Sequence, residues 1–92
     1  FSRLLDIFCG HCGATVLTYQ KDGPGSLKRL YLDRIFGPAN LAGYQKLAIS
    51  KVPPLACGQC QKILGIPYVY PKEKRSAFRL LPAAVTKKIV KK

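Results

Sequence analysis

The sequence predicts a small, mainly-β domain held together by two cysteine knuckles. Three observations carry that prediction. The only four cysteines fall in two pairs of equal spacing, Cys9-Gly10-His11-Cys12 and Cys57-Gly58-Gln59-Cys60. Each pair is followed by a stretch rich in β-branched and aromatic residues, with Gly/Pro turn clusters between the stretches. At 92 residues the chain makes one domain with limited capacity to bury a core, so a metal staple supplies what packing supplies poorly.

In chain order, Leu4 to Phe8 reads as a short strand feeding the first cysteine turn. Gly13 suits a knuckle, where positive φ is often required and backbone N–H groups bond the sulfurs. Ala14 to Gln20 is expected as a strand, and Lys21 to Ser26, with its Gly-Pro-Gly core, as a turn. Leu27 to Ile35 fits two readings. Leu27, Leu30, Tyr31, Arg34 and Ile35 match a helical period, while Lys28, Leu30, Leu32 and Arg34 would share one face of a strand. The return strand of a hairpin is the expectation, because a tight turn after a strand sends the chain back antiparallel.

Residues 36–52 form a helical or irregular insert, in which Asn40 to Ile49 can carry a short helix with Leu41, Tyr44, Leu47 and Ala48 on one face. Val52-Pro53-Pro54-Leu55 forces an extended approach to the second pair. Gln61 to Tyr70 reads as a strand, Pro71 to Ser76 as a charged turn and Ala77 to Leu81 as a last strand. The domain is thus expected over 1–81. Residues 82–92 form a basic extended tail, too weakly apolar to pack alone and without fixed structure in isolation.

The chemistry begins with Cys9, Cys12, Cys57 and Cys60. A two-residue spacer aims both thiolates of a pair at one point, and a tetrahedral Zn2+ takes four such thiolates. One structural Zn2+ is the expected cofactor; iron in the same cage is the less favoured one, and two disulfides or four free thiols are the bland alternatives. A disulfide within a pair would close a small, strained ring and tie little of the fold together. The metal would close the loop of forty-four residues from Gly13 to Ala56. Reduced, ligating cysteines point to a cytoplasmic setting, or an organelle matrix if the N-terminus is processed. No apolar run is long enough for a transmembrane helix, and no membrane partner is expected.

Charge is the second strong signal. Sixteen Lys and Arg against four Asp and Glu give +12, about +10 once four thiolates bind one Zn2+. Solubility alone needs a magnitude of about 2–8. The excess implies a polyanionic partner, nucleic acid being the commonest. The candidate contacts are Lys28, Arg29 and Arg34 in one group, and Lys72, Lys74, Arg75, Arg79, Lys87, Lys88, Lys91 and Lys92 in the other. Tyr68, Tyr70 and Phe78 lie beside the second group. One or two of these rings can stack on exposed bases, with Phe78 expected in the core instead.

No catalytic set emerges, and no small-molecule substrate is expected. His11, the lone histidine, is read as a solvent-facing turn residue, and Asp6, Asp22, Asp33 and Glu73 show no paired spacing. Asp22 is read as a turn residue and Asp33 as a partner for neighbouring arginines.

The arrangement resembles the zinc-ribbon superfamily. The resemblance rests on Cys9, Cys12 and Gly13 in one knuckle, on Cys57, Gly58 and Cys60 in the other, and on the flanking strands, about two-thirds of the chain. It departs at Gln61, where many members carry glycine, and in the long separation of the pairs. It implies a small mainly-β zinc ribbon: two CxxC knuckles with β-hairpins, the insert near 36–52 and the basic C-terminal tail. Such ribbons sit in ribosomal proteins, transcription factors, polymerase subunits and nucleic-acid-processing enzymes. Together with the charge and the tail composition, this points to an RNA-binding structural protein. The expected partner is rRNA in a ribosomal particle, with neighbouring ribosomal proteins around it. The other readings are a transcription-type ribbon on DNA or RNA polymerase, and a rubredoxin-like electron carrier, which would usually be acidic.

Overall fold

The computed structural model describes residues 2–22 and 26–90. Eight strands form two antiparallel sheets, and each sheet is built around one hairpin whose turn is a cysteine knuckle. In the first sheet, β1 (Ser2–Cys9) and β2 (Thr15–Asp22) flank Cys9 to Cys12. In the second, β5 (Leu55–Ala56) and β6 (Ile63–Tyr70) flank Cys57 to Cys60. The remaining strands are β3 (Arg29–Tyr31), β4 (Ile35–Gly37), β7 (Arg75–Leu80) and β8 (Val85–Ile89). The sheet orders are β4-β2-β1-β8 and β3-β7-β6-β5.

The order means that the chain changes sheets four times, between β2 and β3, β3 and β4, β4 and β5, and β7 and β8. Leu27 to Ile35 therefore combines features of neither reading alone. Only Arg29–Tyr31 is a strand, and its partner is β7, not β2; a 3-10 turn over Leu32–Arg34 follows, and Ile35–Gly37 returns to pair with β2. The hairpin return exists, but it begins later than expected. The physical reason is burial. Leu30 from β3, Leu32 from the turn and Ile35 from β4 are all sealed in the core, and the turn carries the chain from the second sheet back to the first without exposing any of them.

Period-two burial explains the strands. In β1, Leu5, Ile7 and Cys9 point inward, with Leu4, Asp6 and Phe8 more exposed between them; β2 adds Leu17 and Tyr19. The second sheet contributes Leu30, Leu55, Leu64 and Phe78 to the same apolar cluster. Phe78 is fully buried, as its composition predicts, and the ring of Tyr44 meets it edge-on at 6.4 Å between centroids. That contact docks the insert, made of a one-turn helix α1 (Ala39–Ala42) and 3-10 turns at Gly43–Lys46 and Ile49–Lys51. Leu41 and Tyr44 reach the core; Leu47 and Ala48, assigned to the same helical face, are exposed because the helix ends before them.

The stretch 82–92 differs from the unstructured tail that its sequence suggests. Val85–Ile89 is a strand along β1, with Leu5 opposite Ile89 and Cys9 opposite Val85. Its weak apolar content suffices because backbone hydrogen bonds, not side-chain burial, hold it, and because Ala84 inserts into the core. Lys91 and Lys92 lie outside the described residues.

Candidate metal centre

The two knuckles are built alike. Cys9 and Cys57 each continue the inward alternation of the strand before them, after Ile7 and Leu55 respectively, so both are buried. The Gly13 N–H donates to the Cys9 carbonyl and the Gln61 N–H to the Cys57 carbonyl, both at 2.9 Å. The Cys9 N–H reaches the Ala14 carbonyl at 2.8 Å, and the Cys57 N–H the Lys62 carbonyl at 2.9 Å. Each turn then lifts its second cysteine outward, leaving Cys12 exposed and Cys60 half-buried.

Backbone N–H groups converge on the two inner sulfurs. His11 and Cys12 donate to Cys9 Sγ at 3.4 and 3.5 Å; Gln59 and Cys60 donate to Cys57 Sγ at the same two distances. These donors favour thiolate. The Cys60 and Gln59 N–H groups bring the Cys57 thiol down to about 6. The Cys12 N–H, then that of His11, lowers the Cys9 thiol against the opposing effect of burial. The outer thiols go the other way. At Cys12 the Ala14 N–H lowers the value, but desolvation and the facing sulfurs of Cys57, Cys60 and Cys9 push it up to about 12. At Cys60 the Lys62 N–H is likewise outweighed by desolvation and by the sulfurs of Cys57 and Cys9.

All four sulfurs lie within 4.8 Å of one another, with Cys9–Cys60 at 3.7 Å and Cys12–Cys57 at 3.5 Å. Metal–sulfur bonds of about 2.3 Å in a tetrahedron give sulfur–sulfur edges of about 3.8 Å. The set therefore fits a metal ion, zinc or iron, and the close contacts cross from one knuckle to the other, so the ion would bridge the two sheets. Four sulfurs fill the tetrahedron and leave no position for a substrate.

Gln61 takes a left-handed backbone, as Gly13 does at the matching place in the first knuckle. Its φ is 67°, against 79° at Gly13. Its side-chain amide donates to the Gly58 carbonyl at 3.3 Å. Gly10 has a role the sequence did not signal. Its N–H donates to the Ala84 carbonyl at 2.7 Å, and a Cβ there would stand 2.5 Å from the Ala83 carbonyl oxygen. The first knuckle is thus buttressed by the segment leading into β8. His11 is exposed in its turn.

The basic residues are regrouped by the fold. Lys28, Arg29 and Arg34 share a cleft of about 480 Å³ with Arg75, Tyr31 and Glu73. The alternation that would send Arg29 away from Lys28 and Arg34 ends at Tyr31, where the 3-10 turn begins. Arg34 pairs with Asp22 at 2.8 Å, and Arg75 pairs with Asp33 at 2.6 Å and Glu73 at 3.2 Å. Asp22 thus ends β2 as an ion-pair partner, and Asp33 finds its arginine far along the chain. Arg29 donates through Nε to the Tyr68 hydroxyl at 3.1 Å. Lys72 and Lys74 are exposed on the β6–β7 turn, Arg79 on β7, and Lys87 and Lys88 on β8. Lys87 also borders a smaller cleft with Ser26 and Leu27, next to Lys28 in sequence.

No family model, curated protein or solved structure matches this chain.

Proposed function

We propose that the chain is an RNA-binding structural protein of zinc-ribbon type, a ribosomal or ribosome-associated component that grips rRNA phosphates. The observation that carries this reading is a charge of +12 on a 92-residue scaffold whose metal site has no open position. Such a site supports shape, not turnover, and the charge calls for a polyanion. In this reading the metal is zinc, the protein is not an enzyme, and it works in the cytoplasm or an organelle matrix, where its thiols stay reduced.

The ordered β8 lends support to a second reading. A transcription-type ribbon touching duplex DNA or a polymerase calls for basic residues on a compact face, and Lys87 and Lys88 lie on a sheet rather than on a loose tail.

Sedimentation of the native protein from cell extract separates the two. Co-migration with ribosomal particles at low salt, lost at high salt, is the expected result. A protein that stays free of ribosomes and copurifies with polymerase overturns the first reading. Metal analysis of protein produced without added zinc distinguishes zinc from iron, and a coloured, iron-loaded protein would favour the electron carrier.

A further inference from the structure

The outer face of the second sheet carries an ordered array of aromatic and cationic side chains. Residues opposite one another in an antiparallel pair share a face, as do alternate residues of a strand. The register across β3, β7 and β6 therefore gives three rows on one side. Arg29, Arg79 and Ile66 form the first, Tyr31, Ala77 and Tyr68 the second, and Arg75 with Tyr70 the third. Leu30 and Phe78 face the other way, into the core.

Ala77 shows that this face is a built layer. It is fully buried, yet it does not belong to the core cluster. What covers it is the layer itself. The Arg29 guanidinium lies 4.0 Å from the Tyr70 ring centroid, and that of Arg75 lies 3.7 Å from the Tyr31 centroid. Tyr70 meets Tyr31 and Tyr68 edge-on, at 6.1 and 6.5 Å between centroids. The small side chain in the middle lets larger neighbours close over it while staying half-exposed themselves.

The layer is polarised. At one end, Glu73 and Asp33 hold Arg75, and Glu73 also accepts the Tyr31 hydroxyl. At the other end stands the exposed Arg79; Arg29 starts from the same row but reaches over Tyr70, and among the described residues no carboxylate pairs with either. Planar rings and guanidinium groups on an open sheet are what unpaired bases stack on, and neighbouring cations take the phosphates. A duplex offers no free base faces, and an acidic peptide gains from the arginines but has little use for three tyrosines.

We propose that this face binds single-stranded RNA, with bases stacked on the layer of Tyr31, Tyr68, Tyr70 and Arg29, and phosphates placed toward Arg79 and Lys28. This deepens the RNA-binding reading above and rests on it.

The chain contains five tyrosines and no tryptophan, and three of the five, Tyr31, Tyr68 and Tyr70, lie in the layer, so the part of tyrosine emission that Tyr70→Ala and bound RNA change reports on it. The test uses the full metal-loaded protein at fixed salt, with a single-stranded oligouridine, an RNA duplex of equal phosphate number, and poly-glutamate. The single strand should quench tyrosine emission and bind tighter than the duplex. Tyr70→Ala should weaken it roughly tenfold at an unchanged salt slope, and Tyr70→Phe should restore it. Arg79→Ala, at an exposed position, should weaken binding and lower the salt slope. Equal affinity for duplex and single strand, with Tyr70→Ala and Arg79→Ala both silent, overturns the stacking face while leaving RNA binding intact. Absence of binding to either RNA overturns the RNA reading itself. Quenching by poly-glutamate as strong as by RNA assigns the face to an acidic protein instead. If Tyr70→Ala does not fold, the wild-type comparison and the Tyr70→Phe and Arg79→Ala variants still decide the matter.

Discussion

Gln61 holds in the second knuckle the position that Gly13 holds in the first. Both donate an N–H to the first cysteine's carbonyl at 2.9 Å, and both have positive φ, 67° and 79°. A side chain at such an angle costs roughly 1–2 kcal/mol, and glycine does not incur that cost. Gln61→Gly should therefore raise stability by about 0.5–1 kcal/mol, part of the relief being lost to the freer unfolded chain. Gly13→Ala should lower it by about 1 kcal/mol. Denaturant titration of the metal-loaded protein measures both, and a destabilised Gln61→Gly would show that the Gln61 amide contact with Gly58 outweighs the backbone strain.

The two other knuckle glycines should part company. A Cβ at Gly10 meets the Ala83 and Ala84 carbonyl oxygens at 2.5 and 3.0 Å, whereas nothing lies within 4 Å of one at Gly58. Gly10→Ala should cost about 1–3 kcal/mol, as overpacking does, and should speed amide exchange in β8. Gly58→Ala should change neither. Equal effects of the two would remove the buttress from the account.

Metal removal should disconnect the sheets. With the four sulfurs no longer bridged, the loop from Gly13 to Ala56 regains its freedom, and the facing thiolates lose the charge that gathered them. Chelation under reducing conditions should abolish the cooperative thermal transition, and re-addition of zinc should restore it. Cys57→Ser should do the same permanently. A chelated protein that keeps its transition would assign the fold to its apolar core alone.

Acid should loosen the outer layer of the second sheet before it opens the core. The Tyr31 hydroxyl, at 2.7 Å, and then Arg75 hold the Glu73 carboxyl below its usual range. The unfolded chain therefore takes up this proton at a higher pH than the folded one. The pair's contribution is present above about pH 4.3, the ordinary carboxylate value, and is lost as pH falls through the lower folded value. Glu73→Gln should flatten the dependence of melting temperature on pH in that acid range only. An identical profile in the variant would mean that this exposed pair adds nothing.

Lys87 and Lys88 are exposed on a strand held through its backbone. Replacing both with alanine should leave thermal stability within about 0.5 kcal/mol and reduce the salt slope of RNA binding by about 1.4–1.8. An unchanged slope would take β8 out of the binding surface.

What was legible in the sequence was what local chemistry decides. The cysteine spacing marked the metal site, and short apolar runs, β-branched and aromatic in β2, marked β1, β2, β6 and β7 to within a few residues. What was not legible depended on partners far along the chain. Leu30 and Leu32 look like one face of one strand, and only the presence of two sheets explains the turn between Tyr31 and Ile35. The stretch from Val85 to Ile89 lacks an apolar period because its place is fixed by the free edge of β1, which no local pattern reveals. Tyr31 carried no signal as a surface residue; its row with Ala77 and Tyr68 exists only in the register of three strands. Gly10 gave none either, since the reason for it lies at Ala83 and Ala84.

The pairing of β1 with β8 also fixes an order of assembly. The hairpins β1–β2 and β6–β7 join neighbours in sequence and can form early, but Leu5 finds Ile89 only after all the strands between them are available. During synthesis, one edge of β1 therefore waits open, and Cys9 and Cys12 wait for Cys57 and Cys60. Until then an unpaired strand edge stands beside two unmatched thiols, so late closure by β8 becomes the step that guards it against mispairing. Pulse-labelled amide exchange during refolding should find β8 protected after both hairpins.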